Sequence, residues 1–98
     1  MNLRKYAEGK SCYLRLVGCS HDPAKTVLAH IRRGGIAGRG QKPPDICALP
    51  LDQHCHDIVD GRVKSEYTRE QIDAELLRAL VQWQSYLWNH GYLFVRFA

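Results

Sequence analysis

The stretch DQHCHD at residues 52–57 brings one cysteine, two histidines and two aspartates into six consecutive positions. Thiolate, imidazole and carboxylate groups are the ligands that proteins offer to zinc, which usually takes four of them in a tetrahedron. If Cys55 faces a metal ion from the first turn of a helix, the next residue, His56, is rotated by about 100° and can face a second site. This stretch therefore predicts a place where a structural metal site and a site for chemistry lie side by side.

The cysteines elsewhere in the chain support a metal site. Cys12 and Cys19 flank a short apolar run at residues 13–17, and Cys47 lies between that run and Cys55. In a reducing compartment, cysteines bind metals more often than they form disulfides. We therefore predict Cys12, Cys19 and Cys55 as ligands of a structural Zn²⁺. The alternative is that they pack as small buried hydrophobic residues.

The sequence leaves three candidates for the fourth zinc ligand. Asp52 precedes Cys55 by three residues, which is the spacing of a zinc knuckle, and it is the first candidate. Cys47 precedes Cys55 by eight residues, a less usual spacing. His54 is adjacent to Cys55, and neighbouring residues rarely both reach one ion.

Hydropathy predicts several short elements and one long helix. Strands are expected at residues 13–17 and 26–31, a further apolar run at 46–51, and a helix start at 54–59. Residues 32–44 contain four glycines and two prolines and are expected to form a loop. Residues 92–97 resemble a terminal strand.

The long helix is predicted from its start signal and its apolar stripe. Thr68 with Gln71 has the spacing of a capping box, and Gly91 marks the end. The stripe follows at intervals of three and four residues: Ile72, Leu76, Leu80, Trp83 and Leu87. Such a stripe is typical of a helix that packs on a core.

Positive charge is concentrated in the middle of the chain. The formal net charge is +4, and residues 23–44 carry five basic side chains and no acid. A basic segment of this kind favours a polyanionic partner, although it can also be a solvated loop. The candidate nucleic-acid contacts are Arg32, Arg33, Arg39 and Lys42.

Length and composition limit the class of protein. The 98 residues suffice for one domain, residues 1–98, with a modest core that a bound metal would stabilise. The sequence contains no apolar run long enough to cross a bilayer, and no apolar segment follows the basic N-terminus as in a signal peptide. We therefore expect a cytoplasmic protein without membrane contact.

Two histidines are candidates for phosphodiester chemistry. His30 stands before the basic loop, and His56 follows Cys55. One imidazole could hold a divalent ion while the other deprotonates a water molecule, since histidine titrates near neutral pH. Each histidine alone could equally be a half-buried residue without a chemical role.

Several blocks of residues resemble the YbcO-like nuclease family of prophages, over about residues 3–62. The similar blocks are Arg4-Lys5-Tyr6-Ala7, Cys12, Val27-Leu28-Ala29-His30-Ile31-Arg32, Gly38-Arg39-Gly40-Gln41-Lys42-Pro43-Pro44-Asp45 and Cys55-His56-Asp57. The resemblance implies a branch of the HNH, or endonuclease VII-like, fold. An α+β domain is then expected, with a ββα-metal core, a zinc knuckle and a C-terminal helix.

The resemblance also implies roles for individual residues. His30 matches the general base, and His56 matches the ligand of a catalytic divalent ion, Mg²⁺ or Mn²⁺. Cys12, Cys19 and Cys55 match structural zinc ligands, while Asp52 stands where the family usually has cysteine. Ala29 stands where many HNH enzymes have an acid or a histidine, so Asp57 or Asp45 would have to supply the missing ligand.

The expected function is metal-dependent DNA cleavage, in recombination or DNA processing. The first alternative is a non-catalytic zinc-binding module that binds DNA. Another is a protein-interaction module that uses the aromatic C-terminal segment, although those side chains are better explained by core or dimer packing. DNA is the expected partner, with a homodimer and recombination proteins as further candidates.

Overall fold

The computed structural model describes residues 2–33 and 42–93. Its regular elements follow in the order α1 (Leu3–Ala7), β1 (Thr26–His30), β2 (Ala48–Asp52), α2 (Gln53–Val59) and α3 (Arg69–Asn89). A single turn of 3₁₀ helix precedes each strand, at Pro23–Lys25 and Asp45–Cys47. The protein is thus a small α+β domain, as expected from its sequence.

The two strands pair with each other and lead directly into a helix. β1 and β2 are antiparallel, with Thr26 opposite Asp52 and His30 opposite Ala48. All five residues of β2 are buried, and α2 begins at the residue after it. Because α2 packs on both strands, the hairpin and α2 form one unit with His30 at one strand end and α2 at the other.

The strand predicted at residues 13–17 is wrong. This segment is irregular, although Leu14 and Leu16 alternate inward as the pattern indicated. One backbone hydrogen bond joins it to β2, from Tyr13 N–H to the Pro50 carbonyl at 3.1 Å. The chain then turns at Arg15, whose φ is +53°, a conformation that interrupts an extended strand. This turn lets Cys12 and Cys19 approach each other.

The long helix is confirmed. Thr68 accepts a hydrogen bond from the Gln71 backbone while the Gln71 side chain accepts one from Thr68 N–H, which completes the capping box. The buried stripe differs from the prediction by one residue, because Ala79 is fully buried and Leu80 only partly. Trp83 is completely buried at the centre of the core, where α3 covers the irregular segment and the sheet.

The structure describes only part of the segment predicted as a C-terminal strand, residues 92–97. Tyr92 and Leu93 are not in a strand, and residues 94–97 lie outside the described residues. Of the aromatic side chains in this region, Trp88 and Tyr92 are exposed while Tyr86 is half-buried. The predicted loop at residues 32–44 is irregular where it is described, at 32–33 and 42–44.

The sequence did not predict α1, because a helix of only five residues shows no clear periodicity. Ala7 is fully buried beside Leu28 and Ala48, so α1 packs against the hairpin. Within the described part of the chain, no helix combines the length and apolar composition that crossing a bilayer requires.

The capping box predicts a measurable contribution to stability. Thr68→Ala removes the side-chain acceptor at the start of α3 and is expected to lower the free energy of unfolding by about 1 kcal/mol. Urea denaturation followed by circular dichroism measures it. Ser85→Ala, at an exposed position within α3, is the control and should not destabilise the protein, because alanine favours helices. Equal effects of both substitutions would contradict the role of the cap.

Candidate metal centre and adjacent histidines

Three buried cysteines meet beneath the start of α2. The Sγ atoms of Cys12, Cys19 and Cys55 all lie within 4.8 Å of one another, and none of the cysteines is in a disulfide. Cys12 and Cys19 come from the two ends of the irregular segment, while Cys55 projects from the first turn of α2. Three sulfur ligands from two separate parts of the chain could hold one metal ion.

Backbone N–H groups surround the sulfur atoms of this cluster. Arg15 N–H points to Cys12 Sγ at 3.4 Å. The backbone N–H groups of Leu14 and Asp52 near Cys12, of His21 near Cys19 and of Leu16 near Cys55 also act to lower the pKa of these thiols. Donors arranged in this way stabilise negative charge on sulfur. This observation, together with full burial, fits thiolate ligands of a metal ion better than simple hydrophobic packing does.

Each thiol of the cluster changes the pKa of its neighbours. A hydrogen bond from the Cys55 thiol lowers the pKa of Cys12 to about 5. The same bond, together with burial, raises the pKa of Cys55, and burial raises that of Cys19. Cys12 is therefore a thiolate near neutral pH. A bound divalent cation would favour ionisation of Cys19 and Cys55 as well.

The candidates for a fourth ligand lie outside the group of three. The Asp52 carboxylate caps α2, accepting from His54 N–H at 3.1 Å, and it also accepts hydrogen bonds from the backbone and hydroxyl of Ser20. Asp52 and Cys47 do not belong to the set of mutually close ligand atoms that the described residues form. The assignment of the fourth ligand stays a prediction.

His54 packs against a glycine that the fold requires. Gly18 has a φ of +92°, and a Cβ there would lie 2.5 Å from His54 Nε2. No other residue type fits this position without displacing the His54 ring or straining the backbone. Gly18 thus allows the turn before Cys19 to approach α2 closely enough for the cluster to form.

His30, which is buried, pairs with an exposed aspartate. Its Nε2 lies 2.7 Å from Asp45 Oδ1, and its side chain is only 7% exposed. The hydrogen bond from His30 lowers the pKa of Asp45, so the aspartate is ionised and accepts the proton-bearing Nε2. In neutral His30, this arrangement leaves the lone pair on Nδ1.

His56 forms a second pair of the same kind on α2. Its Nε2 lies 3.1 Å from Asp60 Oδ2, one helical turn later, and Arg62 donates to the same oxygen at 2.8 Å. Burial lowers the pKa of His56, which favours the neutral ring. When the neutral ring carries its proton on Nε2, which faces Asp60, the lone pair is on Nδ1, and this buried atom has no hydrogen-bond partner among the described residues.

An unpartnered lone pair at this position suits a metal ligand. A histidine that binds a metal typically donates its other N–H to a carboxylate, which sets the tautomer and raises the basicity of the ligating nitrogen. Asp60 lies in the position of such a carboxylate, 3.1 Å from His56 Nε2. Asp57, which the sequence offered as a further ligand, accepts hydrogen bonds from Gln53 and Arg62.

The predicted basic residues divide into two groups. Arg32 and Lys42 are exposed, and Arg39 lies outside the described residues. Arg33, in contrast, donates to Asp73 on α3 and to the Val59 carbonyl at the end of α2. Its side chain is largely buried, so it connects the end of β1 to both helices.

Sequence reasoning missed Asp60 and the role of Asp45 as partner of His30. The signal for Asp60 was present: a histidine and an aspartate four residues apart face each other on a helix. No comparable signal pointed to Asp45, because its contact with His30 spans fifteen residues. The contact of Ser20 with Asp52 depends on the turn at Cys19 and was equally inaccessible.

A family model described as "Putative nuclease YbcO" matches residues 1–87. The chain belongs to the YbcO family. It is 41% identical over 86 residues to "Putative nuclease YbcO" of Escherichia coli (strain K12), covering 84% of this chain and 90% of that relative. "Putative nuclease ybcO" of Enterobacteria phage 82 matches with the same identity and coverage.

A solved structure has the same fold as this YbcO-family chain. It is described as "Structure of a putative bacteriophage protein from Escherichia coli str. K-12 substr. MG1655" and is 30% identical in sequence. The two superpose with a TM-score of 0.73, over 92% of this chain and 100% of the other. The family match and the two named relatives confirm the resemblance to the YbcO family seen in the sequence.

The cysteine cluster predicts binding of a thiophilic ion. We expect the purified protein to bind Co²⁺ with the intense visible and near-ultraviolet absorption of tetrahedral cobalt thiolates. Cys55→Ser should abolish most of this absorption, because it removes one of the three converging sulfur atoms. Cys47→Ser should retain it, since Cys47 lies outside the group of three. Loss of the spectrum in Cys47→Ser would instead place Cys47 among the ligands.

Proposed function

We propose that this protein is a metal-dependent DNA endonuclease of the HNH type, which hydrolyses phosphodiester bonds. The observation that carries the proposal is the pair of histidines on one β1–β2–α2 unit, whose Nε2 atoms lie 2.7 Å and 3.1 Å from an aspartate oxygen. This arrangement leaves two Nδ1 lone pairs for chemistry. The names of the relatives support a nuclease activity.

His30 is the proposed general base. Its Nδ1 would take a proton from a water molecule as the water oxygen attacks phosphorus and the bond to the leaving oxygen breaks. Asp45 keeps the ring in the required tautomer and stabilises the imidazolium that forms, as the aspartate does in other histidine–aspartate pairs. Proton transfer of this kind contributes about 10²- to 10⁴-fold to a reaction rate.

His56 is the proposed ligand of a catalytic divalent ion, Mg²⁺ or Mn²⁺. Such an ion supplies charge neutralisation at the scissile phosphate and at the leaving oxygen. The free Nδ1 of the buried, neutral ring and the support from Asp60 fit this role. Asp60 is a positioning residue in the proposal, because it acts through His56.

The cysteine cluster is the proposed structural Zn²⁺ site. Cys12, Cys19 and Cys55 supply three thiolates, and Asp52 is the first candidate for the fourth position, with Cys47 and His54 as alternatives. Zinc in this place would join the irregular N-terminal segment to α2, and so hold His56 at a constant position relative to the hairpin. Thiolates of this kind persist in the reducing cytoplasm, which is the proposed location.

Exposed basic residues would contact DNA. Arg32 follows β1 and Lys42 precedes the turn that carries Asp45, so both lie between His30 and Asp45 along the chain. Together with Arg39 they would bind phosphates without selecting a sequence. Arg33 has a structural role before any role in DNA binding, because its guanidinium donates hydrogen bonds to Asp73 and to the Val59 carbonyl. A homodimer acting on both strands, and recombination proteins as partners, remain part of the proposal.

One observation favours the alternative of a DNA-binding module without catalysis. Ala29, at the position before the proposed base, is 1% exposed and belongs to the hydrophobic core. This position therefore contributes no ligand to a catalytic ion. A protein of the second kind would bind zinc and DNA but would leave supercoiled plasmid uncut in Mg²⁺ or Mn²⁺.

The role of His30 predicts a graded loss of cleavage. His30→Ala is expected to reduce plasmid nicking about 10²- to 10⁴-fold, because the general base is removed. Asp45→Asn should reduce it less, since the asparagine can still accept from Nε2 but no longer stabilises the imidazolium. Rates of nicking in Mn²⁺ measure both effects.

The control for this series is His90→Gln at the exposed end of α3. It should cut at the wild-type rate. Wild-type nicking by His30→Ala would exclude His30 as the base, and absence of nicking by the unaltered protein would favour the DNA-binding module.

The proposed role of Asp60 predicts a change in the tautomer of His56, which can be measured without any nuclease assay. In the metal-free catalytic site, Asp60→Ala should convert His56 from the Nε2–H tautomer to a mixture, which ¹⁵N NMR of the ring detects. Weaker Mn²⁺ binding by calorimetry, by about 10- to 100-fold, should accompany it. Asp60→Asn should restore the tautomer, because its amide oxygen accepts the same hydrogen bond.

Asp57→Asn is the matched control for Asp60. It removes a charge from the same helix and from the same partner, Arg62, but leaves the contact of His56 intact. An unchanged tautomer in Asp60→Ala would contradict the positioning role. Weaker Mn²⁺ binding in Asp57→Asn would place Asp57 among the ligands.

A further inference from the structure

A second basic site lies between the Cys12 turn and α3. It is a cavity of about 470 Å³, lined by residues 10–15 and by one face of the helix. The side chains that matter for its chemistry are Lys10, Tyr13, Arg15, Arg78, Gln82 and Tyr86. Three of them are cationic and none is acidic. The proposed function uses none of these side chains.

The cations at this site are only partly neutralised. Lys10 Nζ lies 4.4 Å from the centre of the Tyr6 ring and 3.5 Å from the hydroxyl of Tyr86. In the part of the chain that the structure describes, neither Lys10 nor Arg15 makes an ion pair with a carboxylate, whereas Arg78 pairs with Glu75. A half-buried ammonium held by aromatic rings, without a counter-charge, attracts an anion.

Arg15 is held at the cavity by the turn that forms the cysteine cluster. Its backbone has a φ of +53°, a conformation that non-glycine residues adopt uncommonly. Its N–H is directed at Cys12 Sγ, while its side chain is exposed. The cluster therefore fixes the backbone from which this guanidinium projects.

We propose that this cavity binds a phosphate of a nucleic-acid strand, with Arg15 and Lys10 as the contacting cations. The identity of the ligand as DNA rests on the proposed function, whereas the preference for an anion rests on the cavity itself. The site extends the DNA contacts beyond the residues near His30 to the N-terminal segment and α3.

The chemistry of the walls favours a nucleotide over an acidic peptide. A guanidinium and an ammonium bind phosphate oxygens directly. Tyr13 and Tyr86 add aromatic surface, and basic grooves with aromatic rings are typical of proteins that bind single strands. The volume is also in the range of sites that hold a small organic group rather than an isolated ion.

The test measures binding without cleavage. The probe is a fluorescently labelled single-stranded oligodeoxynucleotide, titrated with the zinc-loaded protein in buffer without Mg²⁺ or Mn²⁺, and followed by anisotropy at several salt concentrations. Arg15→Gln and Lys10→Gln are expected to weaken binding at least about threefold each. Each should also reduce the slope of log affinity against log salt by about 1, as loss of one phosphate contact does.

The control is Lys5→Gln, which removes the same charge from an exposed position on α1 that does not line the cavity. It should retain the wild-type affinity and slope. Because the Arg15 side chain is exposed, Arg15→Gln is expected to leave the core intact. An unchanged circular dichroism spectrum of this variant would exclude unfolding as the cause of a lost affinity.

The outcomes separate this inference from the proposed nuclease activity. Wild-type affinity in both Arg15→Gln and Lys10→Gln would overturn the inference, even if the protein cuts DNA. An equal loss in Lys5→Gln would also overturn it, because the effect would then be one of net charge. Selective loss in the two cavity variants would support the site, even if the unaltered protein cuts nothing.

Discussion

The meeting of three thiol groups beneath α2 is the constraint on which the rest of the structure depends. Cys12 and Cys19 belong to a segment without regular structure. Their approach to Cys55, together with the burial of Leu14 and Leu16, holds that segment against the hairpin and α3. A core of this size has little stability to spare. The geometry at Gly18 and Arg15 serves the same convergence, since both residues adopt a positive φ within this segment.

In the two histidine–aspartate pairs, an aspartate next to each ring determines which ring nitrogen is left free. Each ring is mostly buried and has Nε2 next to a carboxylate oxygen, at 2.7 Å for His30 and 3.1 Å for His56, so that Nδ1 is the free nitrogen when Nε2 carries the proton. Burial of a histidine without such a partner would leave both the tautomer and the ring orientation undetermined. One aspartate comes from the turn before β2 and the other from the end of α2, which places both pairs on the β1–β2–α2 unit.

Local signals in the sequence predicted the elements that depend on local interactions. The capping box at Thr68, the stripe on α3 and the strand at Thr26–His30 follow from neighbouring residues and from periodicity. The segment at residues 13–17 has the alternation of a strand, but the convergence of its flanking cysteines bends it at Arg15. At the candidate site, residue type and family resemblance predicted the three cysteines that the structure brings together, while the roles of both histidines stay predictions. Asp45 was recognised only as a substitute ligand, because its pairing with His30 depends on tertiary structure.

The connection between the two strands has a consequence for how the family can vary. Seventeen residues, 31–47, link His30 to Ala48, far more than the two to five of an ordinary hairpin. The entropy lost on closing such a loop grows only with the logarithm of its length, so that doubling it costs about 0.6 kcal/mol. Insertions and deletions here are thus inexpensive for folding, while the strands that carry His30 and lead into α2 stay in register. Natural selection can therefore change the length of the chain between Arg33 and Asp45, and with it whatever the protein touches there, at little cost to the stability of the domain, as long as Ile31, Arg33 and Asp45 keep their contacts.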